Sequence, residues 1–163
     1  MVDDTLVWPL LEGLAAELKE EIERSELEEP CFLGVLPGAG IAYDYCTPCS
    51  TAGKCGMAWV RLALITPQVD PRIGSSRCGD ILNPSIEMGI LRCHKTLMDN
   101  GAPMSMEYQE SKTRAQMAEM AAILRVLLCS DVVKELDVTL GGYTPIGPEG
   151  GCVGGAWIAS FGP

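Results

Sequence analysis

Near the start of the chain, apolar residues recur three or four positions apart, at Leu11, Leu14, Leu18 and Ile22, with acids on the remaining faces. That spacing draws one apolar stripe along a helix and predicts an amphipathic helix over residues 4–25. Thr5 can cap it, Pro9 falls in the first turn where its missing N–H costs little, and the polar run SELEEP ends it. The period then shortens. CFLGVL and IAYDY, joined by Pro37-Gly38-Ala39-Gly40, read as a hairpin. MAWVRLALIT alternates cleanly, with Ala58, Val60, Leu62 and Leu64 on one face and Trp59 and Arg61 on the other. The pattern assigns the first set to the core and leaves Trp59 on the opposite, interacting face.

Residues 66–83 carry prolines and glycines without periodicity and read as a long loop, a kind of segment that often makes contacts between molecules. NPSIEMGILRCHKTL fits a helix with Ile86, Ile90 and Leu97 on one side. It equally fits a strand in which Ile86, Met88 and Ile90 alternate with Glu87, Gly89 and Leu91, and the strand is preferred. In residues 110–130, Met117, Met120, Ala121, Leu124, Leu127 and Leu128 recur at helical spacing, predicting a helix with this stripe in the core and its methionines as flexible filler. Cys129, in the same apolar helix, reads as a small core residue. Leu136, Val138 and Leu140 alternate with Asp137 and Thr139 as a strand. The run TPIGPEGGCVGGAW then reads as a glycine-permitted turn into a last strand, Ala156 to Phe161. It lacks the Lys-Ser/Thr ending and the G-x-G-x-x-G spacing of phosphate-binding loops, so no nucleotide is expected there.

The order helix, strands, loop, strand, helix, strands contains no strand–helix–strand repeat. It predicts an α+β fold with a mostly antiparallel sheet and two main helices on one face. Residues 1–163 read as one domain, with an acidic helix over about 4–25 and a strand-rich core over 31–161.

Charge narrows the function classes. The formal net charge is −10, and residues 1–30 hold ten acids against Lys19 and Arg24. With no basic stripe to neutralise phosphates, specific nucleic-acid binding is not expected; the acids read as a solvent- or partner-facing helix surface. The apolar runs are too short to span a bilayer, and MVDDTLVW lacks the regions of a signal peptide, so no membrane association is expected and a cytoplasm is the expected site of synthesis.

The chain has eight cysteines, three of them clustered in CTPCSTAGKC as Cys46, Cys49 and Cys55. Cys46-x-x-Cys49 has redox spacing but sits in a loop rather than at a helix start, where the thiolate would be favoured. The three thiolates could hold zinc if His94 or Cys31 supplied a fourth ligand; this cysteine-dependent metal or redox protein is the alternative reading. His94 is the only histidine. On a strand it points away from its neighbour Cys93, so the two do not form a nucleophile–base pair. No catalytic, cofactor-binding or metal residues are assigned, and no cofactor is expected; an enzyme resting on carboxylates alone has no motif behind it.

CGMAWVRL, EMGILRC and the terminal TPIGPEGGCVGGAW resemble the head-to-tail connector proteins of long-tailed bacteriophages of actinobacteria, and the order of elements is similar to their tail terminators. The resemblance spans most of residues 31–161. It implies a non-enzymatic virion protein at the head–tail junction, assembled in the host cytoplasm. It also implies a homohexameric ring that caps the tail tube and meets the head-side connector, or stopper, protein. The cysteines of YCTPCSTAGKC are not explained by it. Because virions leave the reducing cytoplasm at lysis, at least one disulfide is expected in mature particles, with the Cys46–Cys55 loop as the most exposed place for it.

Overall fold

The structure is a computed structural model that describes residues 4–38, 40–41, 46, 54–67 and 82–162, with the backbone alone at residues 4–6, 67 and 82. Its elements are α1 (Asp4–Arg24), β1 (Phe32–Val35), β2 (Met57–Pro67), β3 (Leu82–Cys93), α2 (Met106–Cys129), a single 3-10 turn (Asp131–Val133), β4 (Asp137–Glu149) and β5 (Cys152–Gly162). The strands form one five-stranded sheet in the order β1-β2-β3-β5-β4, antiparallel except where β1 runs parallel to β2. The expected α+β architecture is therefore present. Both helices lie on one face, α1 over β1 and β2, and α2 over β5 and β3.

Alternation along the strands sorts side chains into two cores. Under the helices, Leu14, Leu18 and Ile22 of α1 and Ile123 and Leu127 of α2 meet Ala58, Val60, Ile86, Met88, Ile90, Ala159 and Phe161. The β3 reading as a strand with Ile86, Met88 and Ile90 on one side is thus correct. On the far face, Met57, Trp59, Leu91 and Ala156 form a second cluster with Cys46 and Cys152, edged by Phe32, Leu36 and Ile41.

This second core corrects the reading of Trp59. It faces away from the helices, as the alternation required, yet it is fully buried. Its ring lies against Gly89, where an added Cβ would come within 2.3 Å of the indole. Its Nε1 donates to Glu87 Oε1 (3.0 Å), and Arg61 pairs with both Glu87 oxygens (2.7 and 2.8 Å). Trp59 therefore supports the monomer and is not a contact surface. Trp59→Ala should cost about 3–5 kcal/mol of unfolding free energy. Urea denaturation checks this, and a loss within error of zero would contradict the burial.

Local chemistry explains other departures. α1 already includes Thr5, so Thr5 is no cap, and Pro9 sits beyond the first turn, leaving the Thr5 carbonyl without its helical donor. The helix closes on Glu26 at φ 53°, with the Leu27 N–H donating to the Ile22 carbonyl at 3.0 Å. β1 pairs in parallel with β2, and the expected hairpin of CFLGVL with IAYDY falls on residues 39 and 42–45, which lie outside the described residues. Most of the 66–83 loop is likewise outside them, and its ends extend β2 and β3. A register shift between Leu62 and Leu64 re-aims Leu64, which is exposed rather than in the core.

The run TPIGPEGGCVGGAW is mostly strand. β4 continues through Pro145 and Pro148, which an edge strand tolerates because its outer N–H groups need no partner. Only Gly150 and Gly151 turn, both at positive φ (54° and 76°), the two-residue geometry whose twist matches a hairpin.

Candidate assembly surface

Helix α2 begins where the Ser105 hydroxyl accepts from the Tyr108 N–H (3.2 Å), and its C-cap is Ser130. At 3.6 residues per turn, Glu119, Ala122, Ile123, Val126 and Leu127 share one face, and these are its buried residues. The stripe expected in the core lies almost opposite. Met117 and Leu128 are exposed at 59% and 47%, and Met120, Ala121 and Leu124 are half-buried; of the six residues expected in the core, only Leu127 is fully buried.

The reason is that α2 carries two apolar faces. The one that wins the core contains polar residues whose partners lie on the sheet. Glu119 Oε1 accepts from Arg92 Nε on β3 (2.5 Å), and Gln116 Nε2 donates to the Gly154 carbonyl on β5. The Met120 carbonyl, at the flank, accepts from Trp157 Nε1 (3.1 Å). These bonds fix the rotation of α2 and leave Met117, Ala121, Leu124 and Leu128 facing outward. Met106, exposed at 75%, lies on the same side three turns earlier, with the polar Glu110 and Thr113 between, and Arg114 and Arg125 border the stripe. Cys129, read as a core residue, is exposed and free. The apolar run from Met117 through Ala121 and Leu124 to Leu128, on a charged-rimmed helix, marks an interaction site.

A second exposed patch lies on α1. Trp8 is exposed at 46%, and Glu12, Glu20 and Glu23 share the outer side of that helix. Of the acids in residues 1–30, Glu21 behaves differently. It is buried between the helices and accepts from Arg24 Nε (2.8 Å), Ser25 Oγ (2.7 Å) and Arg125 Nε (2.6 Å).

Burial pushes the Glu21 carboxyl up, but those hydrogen bonds outweigh it and hold the group at about 2, below its ordinary 4.5. A carboxyl with a depressed folded-state pKa stabilises the fold fully above its unfolded value. That contribution is lost as pH falls from 4.5 to about 2. Wild-type stability should therefore decline across this window, and Glu21→Gln should flatten the decline while lowering stability at neutral pH. Urea unfolding at a series of pH values checks this; parallel profiles for the two proteins would contradict it.

The cysteines and the histidine have other positions than the alternative reading required. Cys46 is joined to Cys152 and Cys55 to Cys93, with Cα–Cα distances of 5.3 and 5.7 Å; Cys31 is disulfide-bonded as well. The expected Cys46–Cys55 bridge is not formed. Cys93 and Cys152 are register partners on β3 and β5, so the cluster is stapled by its two ends to adjacent strands. Cys49 lies outside the described residues. Oxidised, Cys46 and Cys55 offer no thiolate, and among the described residues no group of three His, Cys, Asp or Glu side chains is placed to hold a metal ion.

His94 is buried at the end of β3, its N–H donating to the Gly151 carbonyl (2.7 Å) and its ring centroid 5.5 Å from that of Tyr108. Burial, then the nearby Lys112 charge, lowers its pKa. Among the described residues no helix is long and apolar enough to cross a membrane. No protein-family model and no curated protein matches the chain.

Proposed function

We propose that this chain is a non-enzymatic structural protein that self-associates through the outer face of α2. In this reading it forms a ring, of hexameric order, at the head–tail junction of a long-tailed actinobacteriophage, where it caps the tail tube and meets the head-side connector. The observation that carries the self-association is the outward stripe Met106, Met117, Ala121, Leu124 and Leu128.

The surface of α1 supplies a complement on a neighbouring copy. Trp8 offers an aromatic anchor, and Glu12, Glu20 and Glu23 match Arg114 at the border of the stripe. Two different patches meeting head to tail give a heterologous interface, which closes into a ring when the rotation between copies is right. The long edge strand β4 leaves a second pairing surface beside it. The head–tail placement rests on the sequence resemblance. The disulfides support it, since they persist in particles that have left a reducing cytoplasm.

Light scattering and negative-stain microscopy of the purified protein test the reading. Closed rings of one size, or a monomer converted to such rings on addition of tail tubes, support it. A protein that stays monomeric and binds neither tail tubes nor the head-side connector would overturn it.

A further inference from the structure

Among the described residues β4 pairs only with β5, and β1 only with β2, so the sheet ends on two open edges. Pro145 has no N–H to give, so its pairing with Gly155 is of the kind without hydrogen bonds between the two. β5 keeps one register with β3 throughout, and its alternate residues Trp157, Ala159 and Phe161 repeat the phase of Gly155. Their partners Tyr143, Leu140 and Val138 therefore turn their N–H and C=O groups outward. Past the bulge at Gly141 and Gly142, Pro145 and Pro148 leave the edge short of donors, so its open stretch is residues 137–140. On β1 the Leu36 N–H donates inward to the Val60 carbonyl (3.0 Å). Gly34 shares that phase, and Leu33 and Val35 face outward.

We propose that the β4 edge of one copy pairs antiparallel with the β1 edge of a second copy, with Val138 opposite Val35 and Leu140 opposite Leu33. This rests on the head-to-tail reading of α1 and α2 and joins neighbouring sheets into one. Across the sheet β1, β2 and β5 run one way and β3 and β4 the other. Copies set side by side with their helices on the same face thus bring β4 and β1 together antiparallel. Residues directly opposite in a ladder share a face, and Leu33, Val35, Val138 and Leu140 all pack against the core under the helices. β1 is four residues long, which matches the open stretch of β4. The pairing also places the helices. Because α1 lies over β1 and β2 and α2 over β5 and β3, α2 of one copy comes beside α1 of the next. Arg125, bonded to Glu21 (2.6 Å), marks the flank of α2 that faces its own α1. Met120, whose carbonyl accepts from Trp157, marks the flank toward β5. Met117 and Leu124 lie beyond Met120 on that second flank, turned toward the incoming helix.

Cysteines introduced in separate chains test the register. Gly34 and Thr139 fall opposite each other in a pair without hydrogen bonds, the closer kind. Thr139 is exposed, and a Cβ at Gly34 meets only the Phe32 ring, at 3.2 Å. With Cys129→Ser in both chains to remove the free thiol, Gly34→Cys and Thr139→Cys chains are mixed in a glutathione redox buffer. The mixture should give a covalent dimer on non-reducing gels that neither chain gives alone. In the unsubstituted protein, hydrogen exchange at the N–H groups of Leu33, Val35, Val138 and Leu140 should slow roughly tenfold on assembly. Assembly without that protection, or between folded variants without the cross-link, would overturn the pairing and leave assembly through α2 standing. Dimers from Thr139→Cys alone would overturn it too, since β4 would then pair with its own counterpart about a two-fold axis. A wild-type chain that stays monomeric even with tail tubes would remove both readings.

Discussion

Placing charges on the outer stripe of α2, as Met117→Asp with Leu128→Asp, is expected to leave the monomer folded and to abolish its assembly. Both side chains already face solvent, so the folded monomer loses little when they change. In an interface the same two would bury most of their remaining apolar surface, at about 1.5–3 kcal/mol for a full side chain. Burying two unpaired carboxylates instead adds a desolvation penalty of several kcal/mol. A weakening on the order of a thousandfold corresponds to about 4 kcal/mol and is the least expected. Sedimentation of wild type and variant at matched concentrations measures it, with thermal unfolding as the control. Undiminished assembly would remove the outer face of α2 from the interface. An equal loss of monomer stability would instead show that the stripe belongs to the fold.

The second large effect concerns the disulfides. Cys46–Cys152 spans 106 residues and Cys55–Cys93 spans 38. Constraining loops of these lengths in the unfolded chain is worth about 4–5 kcal/mol each on the chain-entropy account. The smaller loop is nested in the larger, so removing both costs less than the sum. Cys152→Ala should lower the melting temperature by roughly 10–15 °C, and a reducing agent should do at least as much. Cys129→Ser should change nothing, because that thiol is exposed and free. The fold should survive reduction, since the core under the helices contains no disulfide. Melting curves identical with and without reductant would argue that the bridges do not contribute in solution.

Much of the fold was legible because each element's burial follows from its own period. Ala58, Val60 and Leu62 against Trp59 and Arg61, and Ile86, Met88 and Ile90 against Leu91, are strict alternations, and a strand has only two faces. The candidate surface was half legible. Periodicity found the apolar stripe of α2 and assigned it to the inside, since apolar spacing alone does not say which of two apolar faces meets the sheet. Trp59 was misplaced for the converse reason: a face opposite the helices reads as solvent until something covers it. The covering residues, Leu36, Ile41 and Cys46, follow β1 in the chain, and local alternation does not say which face of the sheet such a segment folds over.

The sequence by itself determined the two helices, the alternating strands, the concentration of acid in residues 1–30 and the number of cysteines. These are local or additive properties, written in spacing of two or 3.6 residues and in composition. Only the tertiary structure decided which face of α2 is buried, which cysteines are joined, and that Arg92 pairs with Glu119. Those depend on pairs such as Gln116 with Gly154, Cys46 with Cys152 and Arg92 with Glu119, whose members lie far apart in the chain. A polar residue on an apolar face is a defect or an anchor according to the partner that the sheet brings to it.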